Sequence, residues 1–115
     1  MALTKEQIKE IDEAAAKYMY NNRPLLEIRD QLDLGYRIDD QNVYLFEIRP
    51  QWDKPEEKIE SLIAKTSYIK SRKLWKIYWM RGNLKWYNYE PIPFVNNISA
   101  FFGLVEEDEL CCFFG

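Results

Sequence analysis

Apolar residues recur every three or four positions between Thr4 and Asn22, where Ile8, Ile11, Ala15 and Tyr18 form one helical stripe. Thr4 and Gln7 have the spacing of a capping box, in which each side chain satisfies an orphan amide of the first turn. Leu3 and Ile8 sit where a hydrophobic staple would, and Asn21-Asn22 with Pro24 end the helix. The period then changes from 3.6 to 2. Leu26, Ile28, Leu32, Leu34, Tyr36 and Ile38 share one parity, and Glu27, Arg29, Gln31, Asp33 and Arg37 share the other, which predicts a half-buried strand. Asp30 interrupts the apolar parity, so a bulge or a strand start is expected near it.

Asp39-Asp40-Gln41-Asn42 predicts a turn, followed by a second strand from Val43 to Arg49 that Pro50 stops. Pro50 to Pro55 reads as a loop carrying Trp52. Ile59 to Lys70 alternates less cleanly and predicts a third strand, although Pro55-Glu56-Glu57 is also a helix-start signal. Ser71-Arg72-Lys73 is a polar turn. Leu74 to Arg81 and Leu84 to Tyr89 predict two more strands joined at Gly82-Asn83, a two-residue hairpin signal. Beyond Pro91 and Pro93, Ile98, Phe101, Phe102 and Val105 return to helical spacing behind a candidate Asn97 cap, with Gly103 as an unfavourable interior residue. The apolar tail Leu110 to Gly115 is expected to dock on the body. These elements predict one α+β domain over residues 1–115: an antiparallel meander of about four or five strands packed with an N-terminal and a C-terminal helix.

Composition narrows the chemistry. The chain is 47% hydrophobic and 30% charged, a globular balance, and 115 residues suffice for a core without disulfides or metal. Its two cysteines, Cys111 and Cys112, are adjacent, so they close no ordinary loop and match no zinc spacing; buried thiols are expected, and no cofactor. No signal peptide or membrane-length apolar run is visible, which makes the cytoplasm the expected compartment and a membrane partner unexpected. Histidine is absent, which removes the commonest general base, the Ser-His-Asp and Cys-His nucleophile systems and imidazole metal sites.

Charge is split along the chain. The net charge is -3, yet Ser61 to Tyr89 contains no Asp or Glu and holds Lys65, Lys70, Arg72, Lys73, Lys76, Arg81 and Lys85. The same stretch holds Tyr68, Trp75, Tyr78, Trp79, Trp86, Tyr87 and Tyr89. With Gly82 and Asn83 as the turn, Trp79 faces Trp86 and Tyr78 faces Tyr87. Trp75, Ile77, Trp79, Leu84 and Trp86 then form a core face, and Lys76, Tyr78, Met80, Lys85, Tyr87 and Tyr89 form a cationic face with exposed rings.

Rings flanked by lysines suit single-stranded nucleic acid, because bases stack and the backbone is an anion. The expected binding residues are Lys65, Arg72, Lys73, Lys76, Tyr78, Lys85, Tyr87 and Tyr89. The ligand would be single-stranded nucleic acid, a nucleotide, or another acidic partner such as an acidic protein. Lysine and tyrosine are also ordinary residues on the wet side of a sheet, and the basic strands could be neutralised by acidic ones within the fold. A second reading is a homodimer or protein-interaction domain built on the same aromatics. A third is a hydrolase without histidine or metal, using Glu47, Asp108, Lys85 or tyrosines, with Arg49 and Arg81 stabilising an anion. Glu47 and Arg49 share a strand face, where an ion pair accounts for them equally well.

From Val43 onward the chain resembles a bacterial family known only as domain of unknown function 3024. The resemblance lies in Phe46-Glu47-Ile48-Arg49-Pro50 with Trp52, Ala64-Lys65 with Tyr68, Trp75, Trp79 with Arg81, Leu84-Lys85-Trp86 with Tyr89, Glu106 with Asp108, and Phe113-Phe114-Gly115. It covers about two-thirds of the chain and is most specific between Trp79 and Trp86. It implies a self-contained bacterial domain and assigns no activity, cofactor or functional residue.

Overall fold

A computed structural model describes residues 3–80 and 85–107. Helix α1 spans Lys5–Asn22. Its capping box is complete: the Gln7 amide donates to Thr4 Oγ1 at 3.1 Å, and the Thr4 amide donates to Gln7 Oε1 at 2.9 Å. Ile11, Ala14, Ala15 and Tyr18 form its buried stripe, and Ile8 lies at the solvent boundary. Helix α2, Ile98–Glu107, is capped by Asn97 Oδ1, which accepts from the Ala100 amide at 2.9 Å. It buries Ile98, Phe101, Phe102 and Val105. Packing does not require Gly103, since a Cβ at that position would meet nothing within 4 Å, and α2 carries its entropic cost of about 0.5–1 kcal/mol relative to Ala.

Between the helices runs an antiparallel sheet of β1 (Asp33–Asp39), β2 (Asn42–Pro50), β3 (Lys58–Ile69), β4 (Leu74–Met80), β5 (Trp86–Asn88) and β6 (Phe94–Val95). The first five follow one another as a meander, and the short β6 pairs with β4 beside β5. The fold is therefore α+β, as the periodicity predicts. The Asp40-Gln41 turn is tight: Asp39 pairs with Asn42, and Asp40 takes a φ of 55°, a left-handed conformation that Asp tolerates better than most residues.

Two sequence expectations shift. The strand expected from Leu26 begins only at Asp33; Leu26–Ile28 is instead a short 3-10 turn, and Leu26 and Ile28 are exposed. Local hydrogen bonds hold that turn, including Arg29 Nε to the Pro24 carbonyl at 2.9 Å, so the alternation there marks no ladder. Pro50 ends β2 as expected, as its last residue, opposite Lys58. The weak alternation of β3 has a cause in a bulge: Ile63 is the extra residue between the pairs Leu45–Ala64 and Phe46–Leu62. Residues 55–57 are turn, not helix.

Among the described residues both helices pack on one face of the sheet. There Leu34, Val43, Leu45, Ala64, Trp75, Ile77 and Tyr89 meet Ile11, Ala15, Tyr18, Phe101 and Val105 in a single core. Thr66, fully buried on this side, is satisfied by donating from Oγ1 to the Lys76 carbonyl at 2.9 Å. Tyr36 donates its hydroxyl to Asp12 Oδ1 at 2.7 Å, which fastens β1 to α1. No described helix is long and apolar enough to cross a membrane. The expectations for Cys111, Cys112, the apolar tail and the Gly82-Asn83 turn lie outside the described residues.

Candidate nucleic-acid interface

The opposite face of the sheet carries the basic, aromatic cluster, and its composition follows from register. Arg37 lies opposite Tyr44, Tyr44 opposite Lys65, Lys65 opposite Tyr78, and Tyr78 opposite Asn88. One row of side chains thus crosses five strands on the side away from the helices. Trp86, paired with Met80, leans into the same row.

The expected β4–β5 register is off by one residue. Tyr78 pairs with Asn88, Trp79 with Tyr87, and Met80 with Trp86. Five residues, not the four implied by a Gly82-Asn83 turn, separate Met80 from its partner. A one-residue slip exchanges the faces of the whole strand. Trp86, expected in the core, therefore joins the open face. Tyr87 and Tyr89, expected on the open face, turn toward the helices: Tyr87 packs on Trp79 with ring centroids 6.4 Å apart, and Tyr89 is 3% exposed within the core. Trp79 is on the core side as expected, partly buried.

The remaining expected residues separate into three groups. Lys65, Lys76 and Tyr78 come together on the open face. Arg72 and Lys73 are exposed in the β3–β4 turn at one end of it, and Lys85 is exposed just before β5. Tyr44 was not anticipated. Its only sequence signal is that Val43, Tyr44, Leu45 and Phe46 are apolar on both parities, which marks a strand with something to cover on each face.

At the centre, the Lys65 ammonium lies 4.8 Å from the Tyr78 ring centroid and 5.8 Å from those of both Tyr44 and Trp86. Tyr44 and Trp86 belong to strands three apart, yet their ring centroids are only 6.1 Å apart, so they converge over the lysine. Each ring face attracts the cation through its quadrupole. Burial acts in the other direction and lowers the Lys65 pKa from the ordinary lysine value. Lys76 flanks the cluster with Nζ 5.3 Å from the Tyr78 ring. Further along the face, the Arg72 guanidinium lies 4.6 Å over Phe94. Among the described residues Lys65, Arg72, Lys73 and Lys76 form no ion pair; the carboxylate pairs involve Arg23, Arg37 and Arg49 instead. Lys65, Arg72 and Lys76 are thus held by rings, not by carboxylates, among the described residues.

The far side of the row is structural. Phe46 is 6% exposed, beneath the Arg37 guanidinium at 5.2 Å, and Arg37 Nη1 meets Glu60 Oε1 at 2.9 Å. Gly35 makes room for that ring, because a Cβ there would come within 2.6 Å of Phe46 Cε2.

On the helix side, Glu47 pairs with Arg49 of its own strand at 3.1 Å. It lines an open cleft of about 280 Å³ with Tyr18, Asn22 and Glu106. Among the described residues no three carboxylate or thiol groups gather to hold a metal. Asp108, also weighed for acid-base work, and Arg81, weighed for stabilising an anion, lie outside the described residues.

These features define a small α+β domain with two helices on one face of a meander and a cationic aromatic cluster on the other. The chain belongs to the family described as a domain of unknown function (DUF3024), whose model matches residues 3–115 and so includes α1 and β1 as well as the region from Val43 onward. Searches of curated proteins and of solved structures found no match.

Proposed function

We propose that the open face of the sheet binds single-stranded nucleic acid without catalysis. The observation that carries this reading is the central cluster, in which Tyr44, Tyr78 and Trp86 surround Lys65 while Lys76 stands beside them without a carboxylate partner among the described residues. Rings supply stacking surfaces that accept any base, and unpaired cations supply phosphate contacts. The caged Lys65 keeps positive potential at the middle of the platform and holds its rings in place. Lys76 and Lys73 make the phosphate contacts.

The test is a titration of labelled uridine oligonucleotide at several salt concentrations. Affinity should fall with salt at a logarithmic slope of about 0.7 per neutralised phosphate. Lys76→Gln should lower that slope, and Trp86→Phe should weaken binding with the slope nearly kept, because stacking releases no counterions. Absence of binding at low salt, in protein shown to be folded by circular dichroism, overturns the proposal.

A second reading, a protein-interaction domain, is favoured by exposed apolar groups elsewhere. Trp52 is 92% exposed, Leu25 68% and Leu26 76%. Lys58 Nζ donates to the Asp30 carbonyl, tying the segment after α1 to the base of the β2–β3 hairpin that carries Trp52. Sedimentation over a concentration series separates this from the first reading: self-association abolished by Trp52→Ser supports it, and a monomer throughout counts against a homodimer.

A further inference from the structure

The open face holds a second cation-on-ring arrangement that the central cluster does not use. Phe94 of β6 lies opposite Lys76, so its ring is on the same side as Lys76, Tyr78 and Lys65. The Arg72 guanidinium, from the exposed β3–β4 turn, lies over that ring at 4.6 Å from its centroid. A guanidinium over a ring at the surface leaves its outer side to solvent, and guanidinium planes are surfaces on which unpaired bases stack. Phe94 is half-buried at the sheet edge, which fixes the base of the stack, while Arg72 is exposed.

The spacing of the two arrangements bears on the ligand. Phe94 pairs with Lys76, and Trp86 pairs with Met80, four residues further along β4. At about 3.3 Å per strand residue the two stacking positions are about 13 Å apart. With about 3.4 Å per step in a stacked strand, that distance is about four nucleotide steps, and fewer if the strand is drawn out. A mononucleotide cannot reach both. Tyr78 lies between them on β4, and the Lys76 ammonium, 5.3 Å from its ring, reaches toward that gap, where a bridging strand carries phosphate.

We infer that the Arg72–Phe94 stack is a second base-binding subsite on the open face, and that the ligand is a single-stranded oligonucleotide running along β4 from the β3–β4 turn to Trp86, not a free nucleotide. This rests on the proposed binding of nucleic acid at that face.

The experiment measures affinity for a series of uridine oligomers from one to eight residues, at fixed salt, for the wild-type protein and for Arg72→Lys. The lysine keeps the charge and removes the planar face. Wild-type affinity should rise at least about tenfold between the dinucleotide and the tetranucleotide, as a second stacked base contributes. Arg72→Lys should lose most of that rise, with dinucleotide affinity and the salt slope both kept. Phe94→Leu, which preserves apolar burial, should do the same if the stack acts as a unit. A flat length dependence in the wild type overturns the second subsite while the first stands, as does a rise that both variants retain. No binding at any length overturns the parent reading and this one with it.

Discussion

Replacing Tyr89 and Trp86 in turn by alanine separates the two registers open to β5. In the structure Tyr89 is 3% exposed and belongs to the core that both helices cover. Truncating a large buried aromatic costs about 3–5 kcal/mol through lost transfer energy and the cavity left behind. Trp86 is half-buried on the open face, where it loses the tilted contact with Tyr44 and its share of the Lys65 cation. An aromatic pair contributes about 0.5–1.5 kcal/mol and a partly exposed cation–π contact about 0.5–1 kcal/mol. With partial burial included, about 2 kcal/mol is expected for Trp86→Ala. Tyr89→Ala should therefore be the more destabilising by about 1–3 kcal/mol. A two-residue Gly82-Asn83 turn would invert the order, since it buries Trp86 and exposes Tyr89. Urea unfolding followed by circular dichroism measures both, with unchanged m-values as the check that midpoints compare like states. A larger loss for Trp86→Ala than for Tyr89→Ala would refute the register on which the composition of the open face depends.

Gly35→Ala should destabilise the fold by about 1–3 kcal/mol, because its Cβ would press on the Phe46 ring, and adding Phe46→Leu should recover part of the loss in a thermal double-mutant cycle. The Tyr36 hydroxyl is pushed up to about 12 by burial and by its hydrogen bond to the Asp12 carboxylate. A raised folded-state value makes its contribution complete below the ordinary tyrosine value of about 10 and lost as pH rises from there through about 12. Tyr36→Phe should flatten that alkaline decline in stability; an unchanged decline would show that the group does not cause it.

Where the determinants are local, the sequence is easy to read. The Thr4–Gln7 capping box, the Asn97 cap and the Asp39–Asn42 turn each depend on residues within four positions, and each appears where its residues stand. The α+β architecture follows from the change of period between α1, the strands and α2. What was not legible depends on pairing between distant segments. Leu26 and Ile28 alternate like a strand, but after Pro24 they make only local turn hydrogen bonds, and among the described residues no partner strand reaches them. Tyr44 joins the cluster only because β2 lies beside β3 with Tyr44 opposite Lys65. The exchange of Trp86 for Tyr87 and Tyr89 turns on a single residue of hairpin register, which a Gly-Asn pair suggests but does not fix. Charge was partly legible: the acid-free stretch marks the right strands, while the distribution of its cations among rings required the fold.

Backbone amide and indole chemical-shift mapping with a uridine tetranucleotide tests the central claim most directly, because it reports which side of the sheet the ligand touches. The account predicts shifts concentrated at Tyr44, Lys65, Lys76, Tyr78 and Trp86, with weaker effects at Arg72 and Phe94. The core-side residues Tyr18, Trp75 and Tyr89 and the exposed face of α1 should stay in place. Shifts centred on the helix side, or none in a folded protein at low salt, would contradict it.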